Sequence, residues 1–286
     1  LNKILSFYKW YRILISMASY RNDYQLLLDS NTLRQADVCA EAIGRLQFPK
    51  KPVFYYVDVG SHEGKLTSLV VKELAKKQDL IATMAIEPGG ETCKTLKSNL
   101  GNNVSVHNLT YGEWLRDSIN NYGGHIDLVL NSHTLYHFQD YQWSSVFIFS
   151  DFLLNQEGKH IVILDSDTSP HVELKETLEE KIPTKKHEVF GRYLTGSSVM
   201  EYLHQGEYTF SHRDLPSPIH FEDNEETLDR VCHFLGFIFR YEASDVKEHC
   251  REEVEEFINR YRLEDGILIP RNQDFIVIPK QDSEFT

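Results

Sequence analysis

Five short apolar runs recur between residues 53 and 167, each continuous rather than alternating: "VFYYVDV" (53–59), "LIATMAIE" (80–87), "VSVHNL" (104–109), "IDLVLNSH" (126–133) and "KHIVILDSD" (159–167). Runs of this kind, rich in β-branched and aromatic residues, suit strands buried on both faces. The stretches between them, 63–77, 90–100, 113–120 and 141–155, read as helices. Such alternation predicts an α/β, Rossmann-like sheet, mostly parallel, with helices on both faces. After Asp167 the rhythm changes. Helices are expected at 171–181 and 196–204, a strand at 207–215, and a charged helical insert over about 222–262. A last strand, "QDFIVIPK", falls at 273–280. Helical segments separate the last two strands, so they are expected to pair antiparallel at the end of a seven-stranded sheet. Residues 1–50 read as a helical N-terminal cap before a main domain of 51–286.

A chain of 286 residues suits one large α/β domain, or one domain with a smaller cap. Its formal charge of −13 argues against gripping a nucleic-acid backbone, which needs clustered Lys and Arg. The acidic excess favours solubility instead. Cys39, Cys93, Cys232 and Cys250 are scattered, without CxxC or Cys/His metal spacing, so neither a metal centre nor a disulfide framework is expected. Reduced cysteines fit a cytoplasmic setting. The apolar "ILSFYKWYRILISMA" is broken by Lys9, Trp10, Tyr11 and Arg12, and no small-residue cleavage site follows. Its spacing suits an amphipathic helix rather than a membrane span. The chain opens at Leu1 without Met, which leaves a preceding segment open.

The segment "VDVGSHEGKLT" (57–67) joins the first strand to the first helix. In an open parallel sheet, ligands sit at the carboxyl ends of the strands. Asp58, Gly60 and Gly64 there form D-x-G-x-x-x-G. Gly60 allows a tight turn close to a ligand, and Gly64 allows close packing of the following helix. A dinucleotide loop would read G-x-G-x-x-G and a phosphate loop G-x-x-x-x-G-K-[ST]; neither is present. The second strand ends in "AIEP", with Glu87 at its tip, where a carboxylate accepts both hydroxyls of a ribose. A ribose-gripping acid beside a loop poorly suited to pyrophosphate points to a nucleoside without phosphates, S-adenosylmethionine. The fourth strand ends in "LNSHTLYHF", polar and aromatic, where the reacting end of a ligand would lie.

At these residues the chain resembles the class I S-adenosylmethionine-dependent methyltransferases over roughly 50–170, and most of all the histamine N-methyltransferase group. That group also has a helical N-terminal cap, "LYY" where this chain has Leu135-Tyr136-His137, and a final "FIVI", here Phe275 to Ile278. The resemblance implies that Asp58, Gly60, Ser61 and Gly64 wrap the methionine part and that Glu87 holds the ribose. Thr110 and Tyr111 would flank the adenine. Ser132 and His133 would close over the cofactor, His133 facing the substrate. Where the group carries an acid in its cap, this chain offers Thr32 or Leu33. Where it carries an Asn near the final strand, the match falls on Arg271 or Asn272. Histamine itself therefore does not follow from the resemblance.

Methyl transfer from a sulfonium needs alignment more than added chemistry, and it needs no metal. A small-molecule amine must arrive deprotonated, and His133 or His137, on either side of Tyr136, could take the proton. Tyr136 would add an aromatic wall favourable to a developing ammonium. In the cap, Tyr8 and Tyr11 are candidate substrate contacts, with Asn272 from the last strand. Tyr8, Trp10 and Tyr11 equally suit a core face. Arg192 has no assigned role. O-methylation of a small metabolite, cofactor binding without catalysis, and an NAD-dependent dehydrogenase stay open as alternatives.

Overall fold

The computed structural model describes residues 33–138, 140–183, 194–239 and 241–281. Most of the expected cap, with Tyr8, Trp10, Tyr11 and Thr32, lies outside these residues, as does Arg192. In chain order the strands are β1 (Phe54–Val59), β2 (Ile81–Ile86), β3 (Val104–His107), β4 (Ile126–Ser132), β5 (Leu154–Asp165), β6 (Ser211–Pro216), β7 (Ile219–Phe221), β8 (Arg262–Leu263), β9 (Gly266–Ile269) and β10 (Asn272–Pro279). The helices are α1 (Leu33–Gly44), α2 (Lys65–Leu74), α3 (Gly90–Leu100), α4 (Tyr111–Tyr122), α5 (Asp140–Leu153), α6 (Leu174–Lys181), α7 (Gly196–Gln205), α8 (Thr227–Phe239), α9 (Ala243–His249) and α10 (Arg251–Arg260). These elements divide into two units, one over 35–167, 194–216 and 272–281, the other over 168–183 and 217–271.

The first unit is a seven-stranded sheet in the order β3-β2-β1-β4-β5-β10-β6. The pairs among β1 to β5 are parallel, and β10 runs antiparallel to both β5 and β6. Six strands therefore share one direction and β10 is reversed. This is the expected mostly parallel sheet, with 211–216 as its edge. The order reverses between β1 and β4, which makes their carboxyl ends the switch point where ligands bind in such sheets.

Both faces of the central part of this sheet are covered, and for that reason its inner strands read as nearly unbroken apolar runs. One face carries Val57, Val59, Ile86, Val129, Val162 and Ile276 against Trp114, Trp143 and Phe147 of α4 and α5. The other carries Phe54, Tyr56, Leu128, Leu130, Ile161 and Phe275 against Cys39, Ala40 and Ile43 of α1 and Val70 and Leu74 of α2. At the amino end, the buried carboxylate of Asp127 is satisfied by Lys51 Nζ at 2.7 Å, the Tyr55 backbone N–H at 2.8 Å and Asn155 Nδ2 at 2.7 Å. Removing one such partner would leave a buried charge short of a bond.

The second unit joins a three-stranded antiparallel sheet, β7-β9-β8, to α6, α8, α9 and α10. Its core comprises Ile219, Phe221, Phe234, Leu235, Val254, Phe257 and Ile267 among others. The helices fall where a charged insert is expected, but α8 is apolar and buried along most of its length. None of the four cysteines is in a disulfide, and all four are buried. Among the described residues, no helix is long and apolar enough to cross a membrane.

Candidate functional site

The turn after β1 is built from left-handed backbone. Gly60 has φ +72° and Gly64 φ +84°, and His62 between them also has a positive φ, +49°. The N–H groups of Gly60 and Ser61 both donate to Ile86 O, at 2.8 and 3.1 Å, which ties the loop to the end of β2. A Cβ on Gly60 would meet Thr134 Cγ2 at 2.2 Å, so the loop lies directly against the segment after β4. A Cβ on Gly64 would meet Leu96 and Leu100, so its closest neighbour is α3. Ser61 Oγ donates to Asp58 O at 2.9 Å and closes the turn from within.

Asp58 is buried, and its Oδ2 accepts from Thr67 Oγ1 at 2.5 Å. The Tyr56 hydroxyl faces the same carboxyl without reaching hydrogen-bond geometry. Burial pushes the Asp58 carboxyl up to about 6, against the opposing pull of Thr67 and Tyr56.

Glu87, 8% exposed, follows β2. Its Oε1 accepts from Gly89 N at 2.8 Å and its Oε2 from His62 N at 3.1 Å. Burial raises its pKa; the Gly89 and His62 bonds oppose that, and Asp58 adds to it. A carboxylate has about four acceptor positions, so roughly two remain for a ligand beyond these backbone donors. Asn108 Nδ2 donates to Glu87 O and Pro88 O, both at 3.0 Å, which fixes the backbone that carries the acid.

Thr110 and Tyr111 stand at the start of α4. Thr110 is its N-cap in a reciprocal capping box with Glu113, and this holds Thr110 Oγ1 2.7 Å from Glu113 Oε2. The Tyr111 ring is buried, its hydroxyl 2.9 Å from Ser150 Oγ and its face stacked on Trp114. Both side chains thus have structural partners.

Ser132 ends β4, half-buried, opposite Ile163 of β5. The next residue, His133, has φ +53°, a conformation uncommon outside glycine. Its Nε2 lies 2.9 Å from Gln35 Nε2 and 2.5 Å from Gln273 Nε2. Gln273 Oε1 is taken by the Cys39 thiol at 3.2 Å, which leaves the Gln273 amide nitrogen to face the ring. Both amides donate, so Nε2 is the unprotonated nitrogen and its lone pair is already engaged. Tyr136 and the exposed His137 meet edge to face, with ring centroids 4.5 Å apart. Asn272 begins the reversed strand at the same sheet edge, its carbonyl accepting from Ser166 N at 3.0 Å. Arg271 is buried at the end of the other unit's last segment.

Several residues at this edge escaped sequence reasoning. Asn131 bridges Thr134 Oγ1 at 3.0 Å and His160 Nε2 at 2.7 Å, beneath the predicted Ser132–His133 pair. Burial pushes His160 down to about 3 and keeps it neutral. Gln35 and Gln273 lie 98 and 140 residues from His133, and no local pattern links them. The signal that could have found Asn131 was its place inside an apolar strand, where a polar side chain demands partners.

Neither a protein-family model nor a curated protein matches this chain. Solved structures match it in fold. A cyclopropane-fatty-acyl-phospholipid synthase-like protein from Lactobacillus casei has a TM-score of 0.54 at 13% identity, over 86% of this chain and 91% of that one. A provisionally assigned methyltransferase from Bacillus halodurans has a TM-score of 0.53 at 11% identity, over 84% and 96%. The 1,6-didemethyltoxoflavin N1-methyltransferase of Burkholderia thailandensis, solved with 1,6-didemethyltoxoflavin and S-adenosylhomocysteine, has a TM-score of 0.51 at 11% identity, over 96% and 90%. Identities this low speak for fold alone. With its strand order and reversed last strand, the chain has the Rossmann-like fold of the S-adenosylmethionine-dependent methyltransferases.

Proposed function

We propose that this protein binds S-adenosylmethionine and transfers its methyl group to the nitrogen of a small-molecule amine. The observation that carries the cofactor assignment is Glu87. Its carboxylate is fixed by the His62 and Gly89 N–H groups at the tip of β2 and keeps acceptor positions for two ribose hydroxyls. The positive-φ turn at Gly60 and Gly64 supports the same reading, because it brings bare backbone to the switch point without the glycine pattern of a pyrophosphate loop.

When bound, S-adenosylmethionine supplies a sulfonium methyl open to in-line displacement by an amine lone pair. The chain's own residues would then hold and orient. Glu87 would grip the ribose, and the loop from Asp58 through Ser61 to Gly64 would follow the methionine part. Ser132 and His133 would border the cofactor, and Thr110 and Tyr111 would anchor the start of α4 beside the adenine. With Nε2 engaged by Gln35 and Gln273, His133 would act as a positioning residue for the 133–138 segment. His137 and Tyr136, paired ring to ring, would offer the proton acceptor and the aromatic wall. Asn272 would contact the amine. The choice of an amine rests on the resemblance of Leu135-Tyr136-His137 and Phe275–Ile278 to the histamine N-methyltransferase group.

Incubating the protein with methyl-labelled cofactor and a panel of small amines tests this function. Label transferred to an amine supports it. Tight cofactor binding with label passing only to hydroxylated metabolites would replace it with O-methylation.

A further inference from the structure

We propose that His212, Asp214 and Asp274 form a divalent-cation site, suited to zinc, that clips the edge strand β6 to β10. The three side chains share one face of this strand pair. His212 and Asp214 are two apart on β6, and Asp214 lies directly opposite Asp274 in the antiparallel register. Their ligating atoms lie within 4.8 Å of one another. His212 Nε2 is 2.7 Å from Asp274 Oδ1 and 3.5 Å from Asp214 Oδ1. Tetrahedral zinc, with bonds of ~2.0–2.2 Å to nitrogen and oxygen, holds its ligands roughly 3.3 Å apart. Seating the ion requires the His212–Asp274 contact to open by about 0.6 Å and the exposed Asp214 carboxylate to settle around the same centre.

Two further features point to a cation. Carboxylates placed opposite one another across a strand pair repel, and here two of them face each other with a single imidazole between. Asp274 is also only 2% exposed, yet its Oδ2 has no hydrogen-bond partner; the Ser166 hydroxyl faces the carboxyl group without completing a bond to that oxygen. A buried carboxylate with one oxygen unpartnered is costly, and a cation held at Oδ1 with His212 and Asp214 would offset part of that cost. The site is also reachable, since the His212 and Asp214 side chains are 30% and 54% exposed on the edge strand. One imidazole and two carboxylates suit zinc or its borderline neighbours, with water completing the shell.

The proposed site is structural rather than catalytic. Its expected effect is mechanical, holding β6 in place through the metal.

The test is calorimetric titration of the intact protein with zinc chloride, alongside thermal melts and cobalt(II) absorption spectra. The wild type is compared with His212→Gln and Asp214→Asn, two variants at exposed positions of the edge strand, each first checked for folding by circular dichroism. One Zn2+ per chain is expected, with a rise in melting temperature and the visible d–d bands of tetrahedral cobalt. Either substitution is expected to weaken zinc binding at least about tenfold and to remove both the bands and the rise. A folded wild type that binds no zinc, or variants that bind it as tightly as the wild type, would overturn the proposal.

Discussion

Glu87 Oε2 accepts the backbone N–H of His62 at 3.1 Å, so the acid after β2 and the glycine turn after β1 form one structure. The carboxylate orders the loop and has acceptor positions beyond its two backbone donors. Under the proposed function, one side chain would set both the loop geometry and the cofactor affinity.

Glu87→Ala removes the loop anchor and the proposed ribose acceptor together. S-adenosylhomocysteine affinity is expected to fall by ~1.5–3 kcal/mol, the range for hydrogen bonds to a charged acceptor, or roughly 10- to 150-fold. Calorimetry measures it directly. Unchanged affinity in a folded variant would place the ribose elsewhere.

Gly60→Ala tests the turn itself. The new Cβ would lie 2.2 Å from Thr134 Cγ2, on a backbone with φ +72°. Strain and overpacking together are expected to cost ~1–3 kcal/mol of stability. Chemical denaturation would show it as a lower midpoint. A Gly112→Ala control, where the added methyl meets nothing within 4 Å, is expected to leave the midpoint nearly unchanged.

Two buried groups oppose each other in their pH dependence. Burial raises the Asp58 carboxyl from 3.8 to about 6, so the folded protein keeps a proton that the unfolded chain has released. Its contribution to stability therefore declines as pH rises from about 4 to about 6, by ~3 kcal/mol in total. His160 is pushed from 6.5 to about 3, so the unfolded chain binds the extra proton. Its contribution declines as pH falls below about 6.5. Asp58→Asn is expected to steepen the loss of stability in acid, and His160→Gln to flatten it. Urea midpoints between pH 4 and 7 compare the three proteins; identical slopes would contradict these assignments.

His133→Ala leaves the Gln35 and Gln273 amides without their shared acceptor. A loss of ~1–3 kcal/mol in stability is expected. Turnover is expected to slow while the pH profile of the remaining activity keeps its shape, as for a positioning residue. Disappearance of one limb of that profile would instead identify His133 as the base.

Much of the first unit was legible because burial on both faces leaves a mark that any single run displays. "VFYYVDV" and "IDLVLNSH" needed no knowledge of their neighbours to be read as β1 and β4. The start of β5 was misread by five residues because Leu154–Glu157 carries Asn, Gln and Glu, a composition that hides its pairing with β4. The small sheet of the second unit escaped because strands of two to four residues are too short for any periodicity. The positive-φ turn glycines and the strand-tip position of Glu87 were readable, since each is marked by residue type at one place in the chain. The Gln35–His133–Gln273–Cys39 network was not, because only the folded chain brings together residues as much as 234 positions apart.

The proposed role of the β1 turn and Glu87 is to hold a nucleoside without a pyrophosphate. Calorimetric titration of the purified protein with S-adenosylhomocysteine and, separately, with NAD distinguishes such a site from a dinucleotide site. Saturable binding of S-adenosylhomocysteine alone, at one per chain, is the predicted result. Binding of NAD in its place, or of neither compound by the folded protein, would contradict it.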